Sequence, residues 1–171
     1  MPTSSLTKII PPMKKIDLSI TIGFCQTDKL SAGDQELISA AIAATRNSYS
    51  PYSQFAVGAA VRLGDGTLVM GANQENAAFP SGLCAERTAI FAAQAQHPEL
   101  PIETIAIAAR NHCGLTRKPI VPCGSCRQVM TEIEDRYHKP IKILLYGTDG
   151  TYVINSVKDI LPLSFIGESM K

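Results

Sequence analysis

The two most informative stretches of this 171-residue chain are Cys84-Ala85-Glu86 and Pro122-Cys123-Gly124-Ser125-Cys126. Three thiolates can hold a zinc ion and leave its fourth position open, which is typical of a catalytic rather than a structural zinc site. A carboxylate two residues after the first cysteine can move protons for whatever occupies that position. The stretches therefore predict a zinc centre with Cys84, Cys123 and Cys126 as ligands and Glu86 as its catalytic residue.

Both stretches are predicted to begin helices. Residues 83–93 are rich in alanine and apolar on most sides, and helix-like sequence restarts after Pro122 and runs to about Tyr137. Because Cys123 and Cys126 are one helical turn apart, their side chains share a face. The partial positive charge of a helix N-terminus favours thiolate over thiol. We therefore expect two helix starts to converge on one cation.

Each cysteine motif, taken alone, is also compatible with a different role. A Cys-x-x-Cys pair could equally be a redox pair, and a buried cysteine in an alanine-rich helix is usually a small apolar residue. A structural zinc module that binds a partner would need a fourth protein ligand, for which Cys113 is a candidate. The combination of Cys-x-Glu with Pro-Cys-x-x-Cys resembles the signature of zinc-dependent base deaminases, and it favours the catalytic site.

The surrounding pattern predicts an α/β fold. A helix is expected near residues 34–48 with Asp34 as its N-cap, and a hairpin with a glycine-rich turn follows it. Apolar runs predict five strands, at residues 56–63, 67–71, 104–109, 141–146 and 151–154. The order of the elements suggests one mixed sheet with helices packed on its faces.

The N-terminal 30 residues are expected to form an extension ahead of a single domain at residues 31–171. Within the extension, residues 1–15 read as a loose tail. Apolar residues at every second position predict a short strand over residues 16–24. No continuous apolar run follows the first lysines, so we expect no secretory leader.

Charge and cysteine usage limit the partners and the compartment. The net charge is +1 and no run of Lys or Arg exceeds two residues, which argues against a nucleic-acid polymer as a partner. Five cysteines are an odd number and argue against a disulfide framework, so we expect a reducing, cytoplasmic compartment. No stretch is long and apolar enough to predict a membrane span.

From about Tyr49 to Phe165 the sequence resembles the homotetrameric cytidine deaminases with a three-cysteine zinc site. The matching stretches are residues 49–59 (YSPYSQFAVGA), 73–77 (NQENA), 84–89 (CAERTA), 122–128 (PCGSCRQ) and 161–165 (LPLSF). The resemblance implies a three-layer α/β/α fold of that family around a five-stranded mixed sheet. It also implies that residues 31–171 form a zinc-dependent deaminase domain.

The same resemblance implies the reaction. A chain of this family uses one Zn²⁺ to deaminate cytidine and 2′-deoxycytidine hydrolytically to uridine and 2′-deoxyuridine, with release of ammonia, in pyrimidine salvage. Glu86 would carry the protons, and Ala85 would contact the substrate. Three thiolates overcompensate the charge of the ion, and Arg87 matches an arginine that donates hydrogen bonds to the sulfurs. Arg127 is a second, weaker candidate for that role.

The resemblance also implies how the substrate is held. Asn73 and Glu75 would bind the ribose, mainly its 3′-hydroxyl, although an Asn here could equally cap a turn. Phe55 would stack on the pyrimidine, although ordinary core packing also explains it. Phe165 would reach the active site of a neighbouring subunit, so that the homotetramer shares its active sites. Phe79 stands where the family commonly has tyrosine.

The turn at residues 147–150 predicts an antiparallel pair for the last two strands, since a parallel pair needs a long crossover. Deaminases that act on bases in RNA or DNA resemble a variant of this fold in which a helix joins the two strands. The short turn therefore favours a free nucleoside as substrate. The main alternative is a deaminase of the same chemistry for another cytosine nucleoside, such as blasticidin S. That group lacks the Asn-x-Glu-Asn stretch that this chain has at residues 73–76.

Overall fold

A computed structural model describes residues 13–171, so most of the predicted loose tail lies outside the described residues. The strands are β1 Gly23–Cys25, β2 Ala56–Leu63, β3 Leu68–Ala72, β4 Ile102–Asn111, β5 Gly114–Leu115, β6 Lys142–Gly147 and β7 Gly150–Ile154. The longer helices are α1 Ala32–Ala44, α2 Ala85–Gln96 and α3 Gly124–Tyr137. None of these helices, in the described part of the chain, is long and apolar enough to cross a membrane.

The strands form one mixed sheet in the order β1-β7-β6-β4-β2-β3, and β5 pairs with β4. Strands β4 and β6 are parallel, whereas β6 and β7 are antiparallel, which confirms the prediction made from their short turn. The sheet has seven strands, so the prediction of five is wrong. The additional strands are β1, which lies within the extension, and β5, whose two residues are too few to show a strand pattern.

Helices cover both faces of the sheet, which confirms the three-layer α/β/α arrangement. Helix α1 packs through Leu37 and Ile38 on a face that β4 lines with alanines. Helices α2 and α3 pack on the other face, which carries the larger apolar cluster. A Cβ at Gly58 would collide with the α1 backbone, and a Cβ at Gly71 with the α2 backbone. These two glycines therefore let the helices approach the hairpin closely.

Two predicted boundaries are wrong. Helix α1 begins at Ala32, and its N-cap is Ser31, whose Oγ accepts a hydrogen bond from the Asp34 backbone N–H at 3.1 Å. Asp34 is instead buried, and its carboxylate accepts a hydrogen bond from Lys142 Nζ at 2.6 Å. Of the strand predicted over residues 16–24, only Gly23 and Phe24 belong to β1. Strand β1 pairs with β7, which ends at Ile154, one residue beyond the partner of Gly23, so the residues before Gly23 have no strand beside them.

Candidate metal centre and adjoining cleft

The three predicted ligands meet where two helices begin. Cys84 is the N-cap of α2, Cys123 is the N-cap of α3, and Cys126 lies in the first turn of α3. The Sγ atom of Cys123 is 3.8 Å from that of Cys84 and 3.5 Å from that of Cys126, and all three sulfurs lie within 4.8 Å of one another. Tetrahedral zinc with Zn–S bonds of about 2.3 Å requires sulfurs about 3.8 Å apart. The donor set and its spacing therefore fit zinc.

The fourth position of such a site has no protein ligand in the part of the chain that the structure describes. The cluster of potential metal ligands there contains the three cysteines alone. Cys113, the candidate for a closed site, is exposed and is not a member of the cluster. Within the described residues, three cysteines without a fourth ligand fit an open site better than a closed structural one.

Cys84 and Cys126 share a proton. Hydrogen bonds from the Cys126 thiol, and then from Arg87 and Cys123, lower the pKa of Cys84 to about 5. The pKa of Cys126 is raised, because its proton is held by the Cys84 sulfur and because the thiol is buried. The Cys84 thiolate is thus favoured before any metal binds, whereas Cys126 needs a bound dication to lose its proton.

Arg87 is the arginine that contacts the sulfurs. Its Nη2 lies 3.8 Å from Cys84 Sγ, and this hydrogen bond raises the pKa of the guanidinium. Arg127 instead donates to two backbone carbonyls, those of Pro122 and Ile160, each at 2.8 Å. The guanidinium that can offset the charge of a third thiolate therefore belongs to Arg87 on α2, not to Arg127 on α3.

Replacing Arg87 with Gln is expected to raise the pKa of Cys84 in the metal-free protein, because the thiolate loses a charged donor. Thiolate formation can be followed by ultraviolet absorbance as a function of pH. Arg127→Gln is the matched control and should leave the pKa of Cys84 unchanged, since the Arg127 guanidinium contacts carbonyls only. Equal shifts in both variants would show that Arg87 has no special relation to the sulfurs.

Glu86 follows Ala85 in the first turn of α2 and lies close to Cys84 and Cys126. The side chain is only 3% exposed, yet it lines the cleft that opens beside the cysteines. Burial raises the pKa of its carboxyl group, and the charge of Cys84 raises it further. A carboxyl group with a raised pKa can both accept and donate a proton near neutral pH.

The cleft has a volume of about 710 Å³, enough for a small organic molecule. Cys84 and Cys123 line it, and so does the predicted sugar-binding pair, Asn73 and Glu75. Aromatic and aliphatic side chains that the sequence did not single out complete the wall, among them Tyr52, Val57, Leu83, Ile120 and Val121.

Asn73 bridges three parts of the chain through its side-chain amide. Its Oδ1 accepts hydrogen bonds from Ser48 Oγ at 2.5 Å and from the Val57 backbone N–H at 2.8 Å. Its Nδ2 donates to the Phe55 carbonyl at 2.9 Å. Both lone pairs of the amide oxygen are used, so only one N–H of the side chain is left for a ligand. The turn-stabilising role that the sequence left open is therefore present.

Glu75 has one carboxylate oxygen in use. Its Oε2 accepts hydrogen bonds from the backbone N–H groups of Tyr52 at 2.9 Å and Ser53 at 3.3 Å. Hydrogen bonding from the Ser53 side chain, together with these two backbone groups, lowers the pKa of Glu75. The group is therefore ionised at neutral pH, with Oε1 open to a donor in the cleft.

Three predicted substrate contacts do not line the cleft in this chain. Phe55 is partly buried, and Ala85 is fully buried in the core. Phe165 is 60% exposed, and its backbone carbonyl accepts a hydrogen bond from Gln128 Nε2 at 2.6 Å. Phe79 does line the cleft, with its ring 5.7 Å from that of Tyr52 in an edge-to-face contact.

Comparison with known proteins agrees with this site. Residues 31–138 match the family model of the cytidine and deoxycytidylate deaminase zinc-binding region. The chain is 40% identical to a cytidine deaminase of Halalkalibacterium halodurans over 136 residues, which are 80% of this chain and 96% of the relative. It is 35% identical to a cytidine deaminase of Sporosarcina psychrophila, covering 80% of this chain and 93% of that protein.

Solved structures show the same likeness. The crystal structure of cytidine deaminase from Burkholderia pseudomallei has a TM-score of 0.65 at 41% identity, covering 76% of this chain and 97% of that one. The structure from Mycobacterium tuberculosis has a TM-score of 0.59 at 30% identity, covering 77% and 95%. The match of sequence and fold over nearly the full length of these relatives shows that this chain belongs to the cytidine deaminase family of hydrolases.

Proposed function

We propose that this chain uses one Zn²⁺ to deaminate cytidine and 2′-deoxycytidine hydrolytically, giving uridine and 2′-deoxyuridine with release of ammonia, in pyrimidine salvage. The observation that carries the proposal is the convergence of three cysteine sulfurs close to a buried glutamate that lines a cleft. The relatives from Halalkalibacterium halodurans and Sporosarcina psychrophila are cytidine deaminases, which supports the choice of substrate.

Zinc, when bound, lowers the pKa of water so that a nucleophile is available near neutral pH. Glu86 accepts the proton that this water loses and passes it to ring N3 of the cytosine. After the bond from C4 to oxygen forms, Glu86 takes the second proton from that oxygen and delivers it to the amino nitrogen, and the bond from C4 to this nitrogen breaks as ammonia leaves. One carboxylate can serve all these transfers because the donors and acceptors lie around one edge of the ring.

The remaining polar groups of Asn73 and Glu75 suit one sugar hydroxyl. Glu75 Oε1 can accept a hydrogen bond from a hydroxyl, and the free N–H of Asn73 Nδ2 can donate one to the same oxygen. A 3′-hydroxyl can serve as this donor and acceptor in both ribose and deoxyribose. Neither side chain then needs a 2′-hydroxyl, which supports activity on both nucleosides.

Glu75→Gln is expected to raise KM by about 10- to 100-fold with little change in kcat, because a hydrogen bond to a charged group is worth about 1.5–3 kcal/mol. The Gln carbonyl can still accept from the backbone of residues 52–53, so the loop should keep its shape. Steady-state kinetics with cytidine and 3′-deoxycytidine test the assignment. The wild type should lose affinity for 3′-deoxycytidine, whereas the variant should distinguish the two nucleosides much less. Equal discrimination by both enzymes would contradict it.

The charge of the cleft supports a free nucleoside over a nucleotide or a polymer. Within the described residues, Arg87 is the one lysine or arginine that lines it, and its guanidinium contacts a sulfur. A phosphate would therefore meet no unengaged cation there, and Glu75 would repel it. This supports a small-molecule nucleoside rather than nucleic acid as the partner.

Phe165 supports a proposed homotetramer with shared active sites. Its ring is exposed and does not line the cleft of its own chain, while Gln128 holds its backbone from α3. An exposed aromatic side chain with a fixed backbone is suited to insertion into a neighbouring subunit. We also place the protein in the cytoplasm, since a site built from three free cysteines needs reduced thiols.

The test of the function is the ultraviolet change on conversion of cytidine and deoxycytidine to their uracil products. A preparation that holds one zinc per chain but is inert on both nucleosides would overturn the proposal. Activity on blasticidin S alone would favour the alternative substrate. The Asn-x-Glu-Asn stretch at 73–76 and the bonds that Asn73 and Glu75 make lead us to expect cytidine.

A further inference from the structure

A segment ahead of the sheet exposes an apolar face. We call residues 13–22 the arm; it continues the chain backwards from β1 without regular structure. Apolar side chains recur at every second position, each between 45% and 78% exposed: Ile16, Leu18, Ile20, Ile22 and Phe24. Polar residues or glycine stand between them, and Asp17 is the one charge from residue 16 to residue 24. This alternation is typical of a strand with one buried face.

Among residues 13–171, the sheet of the same chain has no strand that pairs with the arm. Strand β1 is the last strand at one end of the sheet and pairs with β7 on its inner side only. Because β7 ends at Ile154, which is one position beyond the partner of Gly23, the arm runs past the end of its neighbour. Among the described residues, the outer side of β1 has no strand against it. The arm and β1 together thus form an open edge with strand-like sequence.

We propose that the arm and β1 pair with the same segment of a second copy of this chain, antiparallel and centred on Ile20. In such a pair, facing residues have numbers that add up to 40. Ile16 then faces Phe24 of the second copy, Leu18 faces Ile22, and Ile20 faces its own equivalent. All five apolar residues meet on one side, and the polar residues meet on the other.

A second copy fits this edge because its edge is identical and the pattern is symmetric about Ile20. A two-fold contact joins the same surface of both subunits, so it demands a sequence that is complementary to itself. The apolar faces come together only if even-numbered residues face even-numbered residues. The register in which facing numbers add up to 40 gives every apolar residue from 16 to 24 an apolar partner. The segment also lies outside residues 31–138, the part matched by the family model.

The ring of Phe24 lies 5.2 Å from that of Tyr152 on β7, so both side chains are on the same side of the sheet. This contact shows which side of the sheet the apolar face of the arm continues. Tyr152 packs against the larger apolar cluster, on the side of α2 and α3. The paired arms would therefore extend this side of both sheets. The catalytic cleft is built by other elements, so pairing of the arms is separate from the proposed function.

A disulfide test uses the full-length, zinc-loaded chain in a background of Cys25→Ser and Cys113→Ser. Ile20→Cys faces its own equivalent across the two-fold axis, at the about 4.5–5.5 Å between Cα atoms that a disulfide can bridge. Thr21→Cys is the matched control, because its equivalent lies about 8 Å away across the offset strands. Under mild oxidation we expect a covalent dimer for Ile20→Cys and little for Thr21→Cys. Failure of Ile20→Cys to cross-link, or equal cross-linking of both, would overturn the proposal.

Charge on the two faces gives an independent test. Leu18→Asp with Ile22→Asp places like charges opposite each other on the apolar face, whereas Ser19→Asp with Thr21→Lys places opposite charges across from each other on the polar face. By sedimentation, the first double variant should contain half as many subunits per particle as the wild type, with unchanged activity per zinc. The second should keep the wild-type assembly. An unchanged particle in the first variant would contradict the pairing, as expected if residues 1–12 of the same chain cover the arm instead.

Discussion

Glu86→Gln is expected to lower kcat by about three to four powers of ten, the upper part of the range for general acid–base catalysis. The amide is close in size to the carboxyl group, so the fit of the buried side chain is kept. It cannot accept a proton from water or deliver one to ring N3 and the leaving amine. Single-turnover deamination of cytidine measures the loss in the chemical step.

Zinc content separates a lost proton carrier from a lost site. Because the proposed metal ligands are the three sulfurs and not Glu86, we expect the Glu86→Gln protein to retain one zinc per chain. Glu132→Gln, on the exposed side of α3, is the matched control and should keep full activity. A zinc-loaded Glu86→Gln enzyme with undiminished kcat would remove Glu86 from the mechanism.

Removal of zinc by a chelator is expected to reduce deamination to the level of the Glu86→Gln variant or below, and added zinc should restore it. The helices themselves should survive. The sulfurs lie at the helix starts, whereas α2 and α3 are held by a large buried cluster that includes Ile90 and Met130. Far-ultraviolet circular dichroism with and without metal tests this separation of activity from fold.

The outcome of chelation also decides between catalytic and structural zinc. Metal in a structural module contributes folding free energy, so its removal unfolds the domain. Cys113→Ser serves as the control for the cysteines, because Cys113 is exposed and outside the cluster; it should change neither zinc content nor activity. Loss of helix on chelation, with Glu86→Gln fully active, would favour the structural alternative.

The cluster of three cysteines was predictable from the sequence because its members belong to two local motifs. Cysteines at the starts of α2 and α3 were predicted from spacing and helix polarity, and the structure brings their sulfurs together. The antiparallel pair of β6 and β7 was predictable for a similar reason, since the length of a turn limits the direction of its strands.

Features that depend on distant partners escaped prediction. Nothing local shows that Lys142 bonds to Asp34, which removes Asp34 from its expected role as N-cap. The arm has the pattern of a strand, but its own sheet offers it no partner. The aromatic pair at the cleft mouth, Tyr52 and Phe79, depends on two loops meeting and leaves no pattern in either.

The three bonds of the Asn73 amide have a consequence for how sugar preference can change. The same side chain that faces the proposed ribose joins Ser48, just after α1, to the start of β2. A substitution there would leave two half-buried backbone groups without partners, the Val57 N–H of β2 and the Phe55 carbonyl just before it, at a cost of at most about 1–3 kcal/mol each. Neighbouring Glu75 has one oxygen free of such duties. Selection or design for a different sugar is therefore expected to alter Glu75 and the cleft mouth while Asn73 stays unchanged.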